Sequence, residues 1–263
     1  MIKDISNSIG AYRHASKFLF KHGLWVYALL PGIVSVVLLS ALYYGTISWL
    51  DVETLEANIN QGMADWDGWF WGSLQWVVDK IVGVGAIDFL VITAFLIVFF
   101  FFGKYIVLII AAPFMGPVSE KVEEIVRGHK IEITSNFISD LWRGIRISIR
   151  NLIREFIFTF LFLFLNFLPL IGSIAATVLT LAIQAYYAGF GNMDYTLERK
   201  QFGRRDSVRF VRKHAGLALG NGTVFLLLFA IPFLGWFVAP AFATIAATVA
   251  TLKRIDETKN SRP

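Results

Sequence analysis

Arg143, Arg146, Arg150 and Arg154 stand at spacings of three, four and four. At 100° per residue on a helix they fall within an arc of about 80°. Leu141, Trp142, Ile145, Ile149 and Leu152 fall roughly opposite. A guanidinium is always charged and offers a planar fork of donors, so a row of them does one kind of chemistry: it holds anions. Two settings fit. The helix can lie on a membrane surface with its arginines on the headgroups of anionic lipids, each worth about 1 kcal/mol. Alternatively the arginines line a vestibule that concentrates small anions. Arg205, Arg209, Arg212 and Lys213 repeat the pattern further on, and both settings apply there as well.

Other chemistries are poorly served. The chain has no cysteine, so disulfides, thiol catalysis and Cys-ligated metals are excluded. Its four histidines, at 14, 22, 129 and 214, are scattered, and no two share a ligand spacing. There is no HExxH, no phosphate-binding loop and no dinucleotide fingerprint. The expectation is a protein that is not an enzyme, with no metal, no cofactor and no nucleic-acid partner.

The elements that must position these arginines are membrane elements. Of 263 residues, 56% are apolar and only 16% charged, with 25 phenylalanines, against about 25% charged in a soluble domain. Several apolar runs exceed the roughly 20 residues that span a bilayer. Residues 1–23 read as an amphipathic surface helix, with Ile2, Ile5, Ile9 and Tyr12 at helical spacing among basic residues. Residues 24–50 form a first span with Pro31 in its first turns, too long for the core of a signal peptide. Residues 51–80 are acidic and aromatic, as at an interfacial belt. Residues 82–112 form a second span, roughly 45 Å long as a helix and so tilted or projecting.

The basic residues set the topology. Lys and Arg number one in 51–80 but seven in 113–155, seven in 191–214 and four in 253–263. The loop at 51–80 therefore lies outside, and both termini are cytoplasmic. With the three basic segments all inside, the apolar segments 156–190 and 215–252 must each enter and leave on one face. Each is broken centrally, at Pro169-Leu-Ile-Gly172 and Pro232-Phe-Leu-Gly235. Proline interrupts the helix and glycine permits reversal, so both read as partly penetrating helical hairpins with arms of roughly 12 to 18 residues. The alternative, one straight span per segment, puts 191–214 outside against its charge. The fold class expected is an all-α integral membrane protein: two long transmembrane helices, two hairpins and amphipathic surface helices.

Several smaller features belong to this frame. Asp88 and Lys104 interrupt the second span; snorkelling, an interhelical partner and a transport role all remain open. Asn166 and Gln184 suit interhelical hydrogen bonds or a pore lining, and Gly216, Gly220 and Gly222 suit close helix packing. In IAAPFMGPVSEKVE, Pro113 is expected to end the second helix, Gly116 to turn the chain, and Pro117 to begin a new helix. Glu120 then falls in a helical first turn as a partner for an arginine face, and Gly128 ends that helix.

That stretch also carries a resemblance. IAAPFMGPVSEKVE, with its Pro113, Phe114, Gly116, Pro117 and Glu120, resembles the signature of the CysZ sulfate permease family within the wider etoposide-induced-protein domain family. HGLWVYALLPG, GFGNMDYTLERKQF and GNGTVFLLLFAIPFLGWFVAPAFA are further matches, so the likeness covers nearly the whole chain. It implies two long helices with two hairpins, homo-oligomers in a bacterial inner membrane, and sulfate uptake for cysteine synthesis. It also places an anion site where the first span begins. Gly23 and Leu24 are present there, but Trp25 and Val26 follow in place of a basic pair, leaving backbone donors to serve. The leading expectation is a passive permease for sulfate or a similar anion. The other is a non-transporting membrane-organising protein whose basic helices bind anionic lipid.

Overall fold

The computed structural model describes residues 1–50, 54, 61, 76, 86–130, 137–168, 171–231 and 234–260. Among these the regular structure is helical: α1 (Ile2–Lys21), α2 (Trp25–Leu50), α3 (Ala86–Arg127), α4 (Phe137–Leu163), a 3₁₀ turn (Phe164–Phe167), α5 (Gly172–Arg199), α6 (Arg204–Lys213), α7 (Ala215–Phe229) and α8 (Leu234–Asn260). The protein is an all-α membrane protein. Three described helices are long and apolar enough to cross a bilayer, at Trp25–Gly45, Gly172–Arg199 and Leu234–Thr258, while α7 is apolar but shorter. The chain forms two compact units, Met1–Val34 with Tyr105–Pro263, and Ser35–Lys104. The second unit holds the remainder of α2 and the start of α3; the side chains of Asp88 and Lys104 lie outside the described residues, as does most of 51–80.

The first unit is built on close helix crossings. A Cβ added at Gly222 would overlap the carbonyl of Ala185, and one at Gly189 the carbonyl of Ala218, so α5 and α7 cross with their backbones in contact. Gly216 and Gly220 face Met1, Asp4, Ile5 and Ser8 of α1 in the same way. The expected small-residue face therefore serves two neighbours. Buried polar groups fix the register. Asn192 donates to Asn221 (3.0 Å), Asn221 donates to the Ala243 carbonyl (2.9 Å), and Tyr12 donates to the Asn221 carbonyl (2.8 Å). Backbone cannot yield as a side chain does. Gly222→Ala is expected to cost about 1–3 kcal/mol, seen as a lower melting temperature and a smaller monodisperse fraction after detergent extraction.

Helix α1 is docked on the bundle. It buries Asp4, Ser8, Ala11, Ala15 and Leu19 and leaves Ile2 and Ile9 exposed. Ser8 donates to the Leu217 carbonyl at 3.0 Å. The helix ends at Gly23, φ +70°, and the Leu24 amide donates back to Leu19 at 3.0 Å, a closure that needs a left-handed residue. A second closure of this kind follows α5, where Gln201 takes φ 58° and Phe202 donates to Leu197.

One expectation is corrected: Pro113 does not end a helix. α3 runs unbroken through Pro113 and Pro117, and Gly116 has no left-handed φ. The two prolines are four residues apart, so the hydrogen bonds they delete lie on one side of the helix. The other side buries Ala111, Met115, Val118 and Val122 in the core, and that packing holds the helix together. Gly128, φ +73°, does end it. Gly172 and Gly235 have no left-handed φ. A Cβ at either would overlap a carbonyl of the preceding arm, Leu165 or Leu228, so these glycines let the arms close on each other. Pro169 and Pro232 lie outside the described residues. α4, α5 and α8 have 27, 28 and 27 residues because each continues from its apolar part through polar sequence, and α7 has 15.

Candidate functional site

Helix α4 carries the first arginine row. Its inward column is Ile147, Asn151 and Glu155, all buried, while Trp142, Ile149, Ile153, Phe156 and Ile157 are exposed. This orientation turns Arg150 and Arg154 sideways into the protein and half-buries them. The Arg150 guanidinium lies 5.1 Å from the centre of the Phe190 ring of α5, within cation–π range. Its Nη2 donates to Asn151 at 3.3 Å, and its buried Nε has no hydrogen-bond partner. Burial, then the charge of Arg154, lowers its pKa; Asp194 and Tyr187 of α5 oppose this, and Arg204 of α6 adds to it. Arg154, Arg204 and the buried Asp194 carboxylate thus all contribute to the field at Arg150. The neighbouring Tyr186 feels the charge of Arg212, a member of the second basic face, together with those of Arg150 and Arg154.

The other expected residues fall elsewhere. Arg146 is exposed and stacks on Trp142 at 5.6 Å. The side chain of Arg143 lies outside the described residues. Arg205 and Arg209 are exposed, and Arg209 lies 3.5 Å from Asp206. Leu24 is buried and its amide is committed to Leu19, which leaves Gly23 as the exposed residue of that turn. Asn166 donates to the Leu163 carbonyl at the end of its own helix.

A second polar centre joins α3, α5 and α8. Glu123, 1% exposed, accepts from Arg127 at 2.8 Å and pairs with Lys200 and, at 3.1 Å, with Arg199. Arg127 also reaches Asp256 at 3.2 Å. Burial alone would raise the Glu123 pKa, but the hydrogen bonds from Lys200 and Arg127 and the charge of Arg199 outweigh it, and the pKa is lowered. Beside this hub Arg199 donates to Ser119 (2.9 Å), and Ser119, Thr196 and Thr248 lie within 3.2 Å of one another. Thr248 donates to the Thr244 carbonyl. The sequence reading places a carboxylate partner at Glu120; Glu123, three residues on, is the one bonded, while Glu120 is half-buried and feels the Arg199 charge. The signal for Glu123 was available in Ser119, Glu123 and Arg127, which share one helix face at four-residue spacing.

A third contact joins α1, α8 and the α6–α7 junction. Arg254 donates through Nε to His214 Nδ1 (3.1 Å) and pairs with Asp4 (3.4 Å) and Glu257 (2.8 Å). Burial, then the Arg254 charge, lowers the His214 pKa. The unfolded residue titrates near its ordinary value of about 6.5. The stability gained from the neutral ring is therefore full above that pH and is lost as pH falls through the lower folded value. Melting temperature is expected to decline below about pH 6.5, and His214→Asn, which keeps an acceptor without titrating, is expected to flatten that decline.

Comparison with known proteins decides the family. Residues 11–240 match the model described as Sulfate transporter CysZ/Etoposide-induced protein 2.4. The chain belongs to that family. Among its relatives, the Sulfate transporter CysZ of Pseudomonas fluorescens (strain Pf0-1) is 28% identical over 247 residues, 90% of this chain and 89% of the relative. That of Pseudomonas syringae pv. tomato is 28% identical over 244 residues, 90% and 88%. That of Pectobacterium atrosepticum is 25% identical over 240 residues, 90% and 80%. The stretches quoted in the sequence analysis for this CysZ/etoposide-induced family member build the centres above. IAAPFMGPVSEKVE supplies Ser119 and Glu123. GFGNMDYTLERKQF supplies Phe190, Asp194, Thr196, Arg199 and Lys200, and GNG supplies Asn221.

Proposed function

We propose that this chain is a permease for a small inorganic oxyanion, sulfate first, in a bacterial inner membrane, where it supports sulfur assimilation. The observation that carries this reading is Arg150: a half-buried guanidinium with an unpartnered buried Nε, in a field to which Arg154 and Arg204 as well as Asp194 contribute. Such a site favours an anion and offers it a free donor. The names of the relatives support sulfate. Phe190 provides an aromatic wall and Asp194 prevents the cations from trapping the ion, since conduction requires release as well as binding.

The chain has no nucleotide-binding motif, and the transport proposed is passive flux down a gradient. In the membrane, α2 and the apolar part of α3 cross as full spans, with both termini and α6 cytoplasmic. The paired arms α4–α5 and α7–α8 enter from that side, anionic lipid meets the exposed basic residues, and the working form is a homo-oligomer. A cysteine introduced at the exposed position Arg205→Cys is expected to react only from the cytoplasmic side.

The test is uptake of radiolabelled sulfate by proteoliposomes of the unmodified protein. Sulfate is expected to enter faster than into empty liposomes and to be slowed by excess unlabelled sulfate. Flux no greater than in empty liposomes would refute the permease and leave a non-transporting membrane protein.

A further inference from the structure

A cleft of about 490 Å³ lies between α6 and the end of α8, outside the Arg150 cluster. Its walls include Phe202 and Phe210, whose rings meet edge to face at 5.7 Å, and His214, whose ring lies 4.7 Å from that of Phe210. Its cations are Lys200, Arg209 and Lys213, with Asp206 and Thr258 as further polar groups. The volume falls within the range of about 300–1,000 Å³ typical of organic-ligand sites. It is far larger than one tetrahedral oxyanion requires.

Helix α6 indicates what the cleft meets. Its inner side, Ser207 and Val211, is buried, while Arg204, Arg205, Arg209, Arg212 and Lys213 are exposed. With its apolar side already packed, α6 keeps no apolar face to insert into hydrocarbon, and its charged side requires water or headgroups. Aromatic walls with a cationic rim fit a molecule that is flat and apolar at one end and anionic at the other. Asp206 and Thr258 can pair with polar groups along its length.

We infer that the cleft between α6 and α8 binds an aromatic phosphate of nucleoside-monophosphate size, with the ring against Phe202 and Phe210 and the phosphate on Arg209 and Lys213. The site is independent of the transport reading. It is also wired to the rest of the bundle: His214 in its wall accepts from Arg254, which holds Asp4 of α1.

The test is equilibrium binding of radiolabelled adenosine 5′-monophosphate to the full chain in nanodiscs of neutral lipid. Saturable binding is expected, with adenosine, ribose 5-phosphate and inorganic phosphate each competing at least about tenfold more weakly, since each lacks the ring or the anion. Phe210→Leu and Lys213→Gln are each expected to weaken binding about fivefold or more, and Arg205→Gln less than about twofold. If Phe210→Leu proves unstable, Lys213→Gln at the exposed rim decides. Absence of saturable binding at millimolar ligand would overturn the inference. So would inorganic phosphate competing as well as the nucleotide, or loss of nucleotide binding when anionic phosphatidylglycerol is added, which would make the cleft a lipid headgroup site.

Discussion

Glu123→Gln will destabilise the protein by about 3–5 kcal/mol, the cost of leaving a buried charge without its partner. Glutamine keeps the volume and much of the hydrogen bonding, so the loss isolates the charge. The carboxylate is 1% exposed and the Arg199 side chain facing it 13%. Arg127 retains Asp256 and Lys200 can reach solvent, whereas Arg199 would keep the neutral Ser119 hydroxyl, the Tyr195 carbonyl and the charge of half-buried Glu120, with no carboxylate bonded to it. The measurement is thermal unfolding in detergent by intrinsic fluorescence, with a fall of roughly 10 °C expected. Two comparisons separate this cause from general damage. Glu124→Gln removes a pair with the exposed Lys121 and is expected to cost under about 0.5 kcal/mol. Arg199→Met added to Glu123→Gln removes the orphaned cation and is expected to restore part of the loss; no restoration would mean that the hub is not held by this charge pair. The lowered Glu123 pKa gives a pH signature as well. Its contribution is full above the ordinary carboxylate value and disappears as acid protonates the folded group, a decline that Glu123→Gln should lack.

That hub marks where reading the sequence stops being sufficient. Apolar run lengths locate the long helices, because helix formation follows from local backbone chemistry and hydropathy. Gly128 is legible for the same reason. Partner choice is not local. Periodicity separates the arginines of α4 from its apolar side, yet it does not reveal that Ile147, Asn151 and Glu155, lying between the two, form the contact with the bundle. That contact draws Arg150 and Arg154 inward and leaves Trp142 and Arg146 outside. The four-residue spacing of Ser119, Glu123 and Arg127 marks a polar face that Glu120 does not share, but that Arg199 and Lys200 approach this face from the end of α5 is tertiary. Pro113 misleads because a proline's local penalty is fixed, while the burial of Ala111, Met115, Val118 and Val122 that outweighs it is tertiary.

Arg150→Gln will lower sulfate flux roughly ten- to a hundredfold, the loss expected for a hydrogen bond to a charged group worth about 1.5–3 kcal/mol. The argument rests on what surrounds the guanidinium. Asn151, the face of Phe190 and the charge of Asp194 occupy part of it, and Nε remains as a buried donor with nothing to bind. A donor of that kind costs the fold free energy, and a passing oxyanion recovers it at the moment of occupancy. Arg150→Lys keeps the charge but loses the planar fork, so its flux should fall between wild type and Arg150→Gln. Arg205→Gln, an exposed arginine of the second basic face, should change flux less than about twofold. Asp194→Asn separates the two electrostatic roles: it raises the local positive charge, so sulfate should half-saturate at lower concentration while the maximal rate falls as release slows. Arg150→Gln transporting at the wild-type rate, with melting temperature and reconstitution unchanged, would remove Arg150 from the anion path.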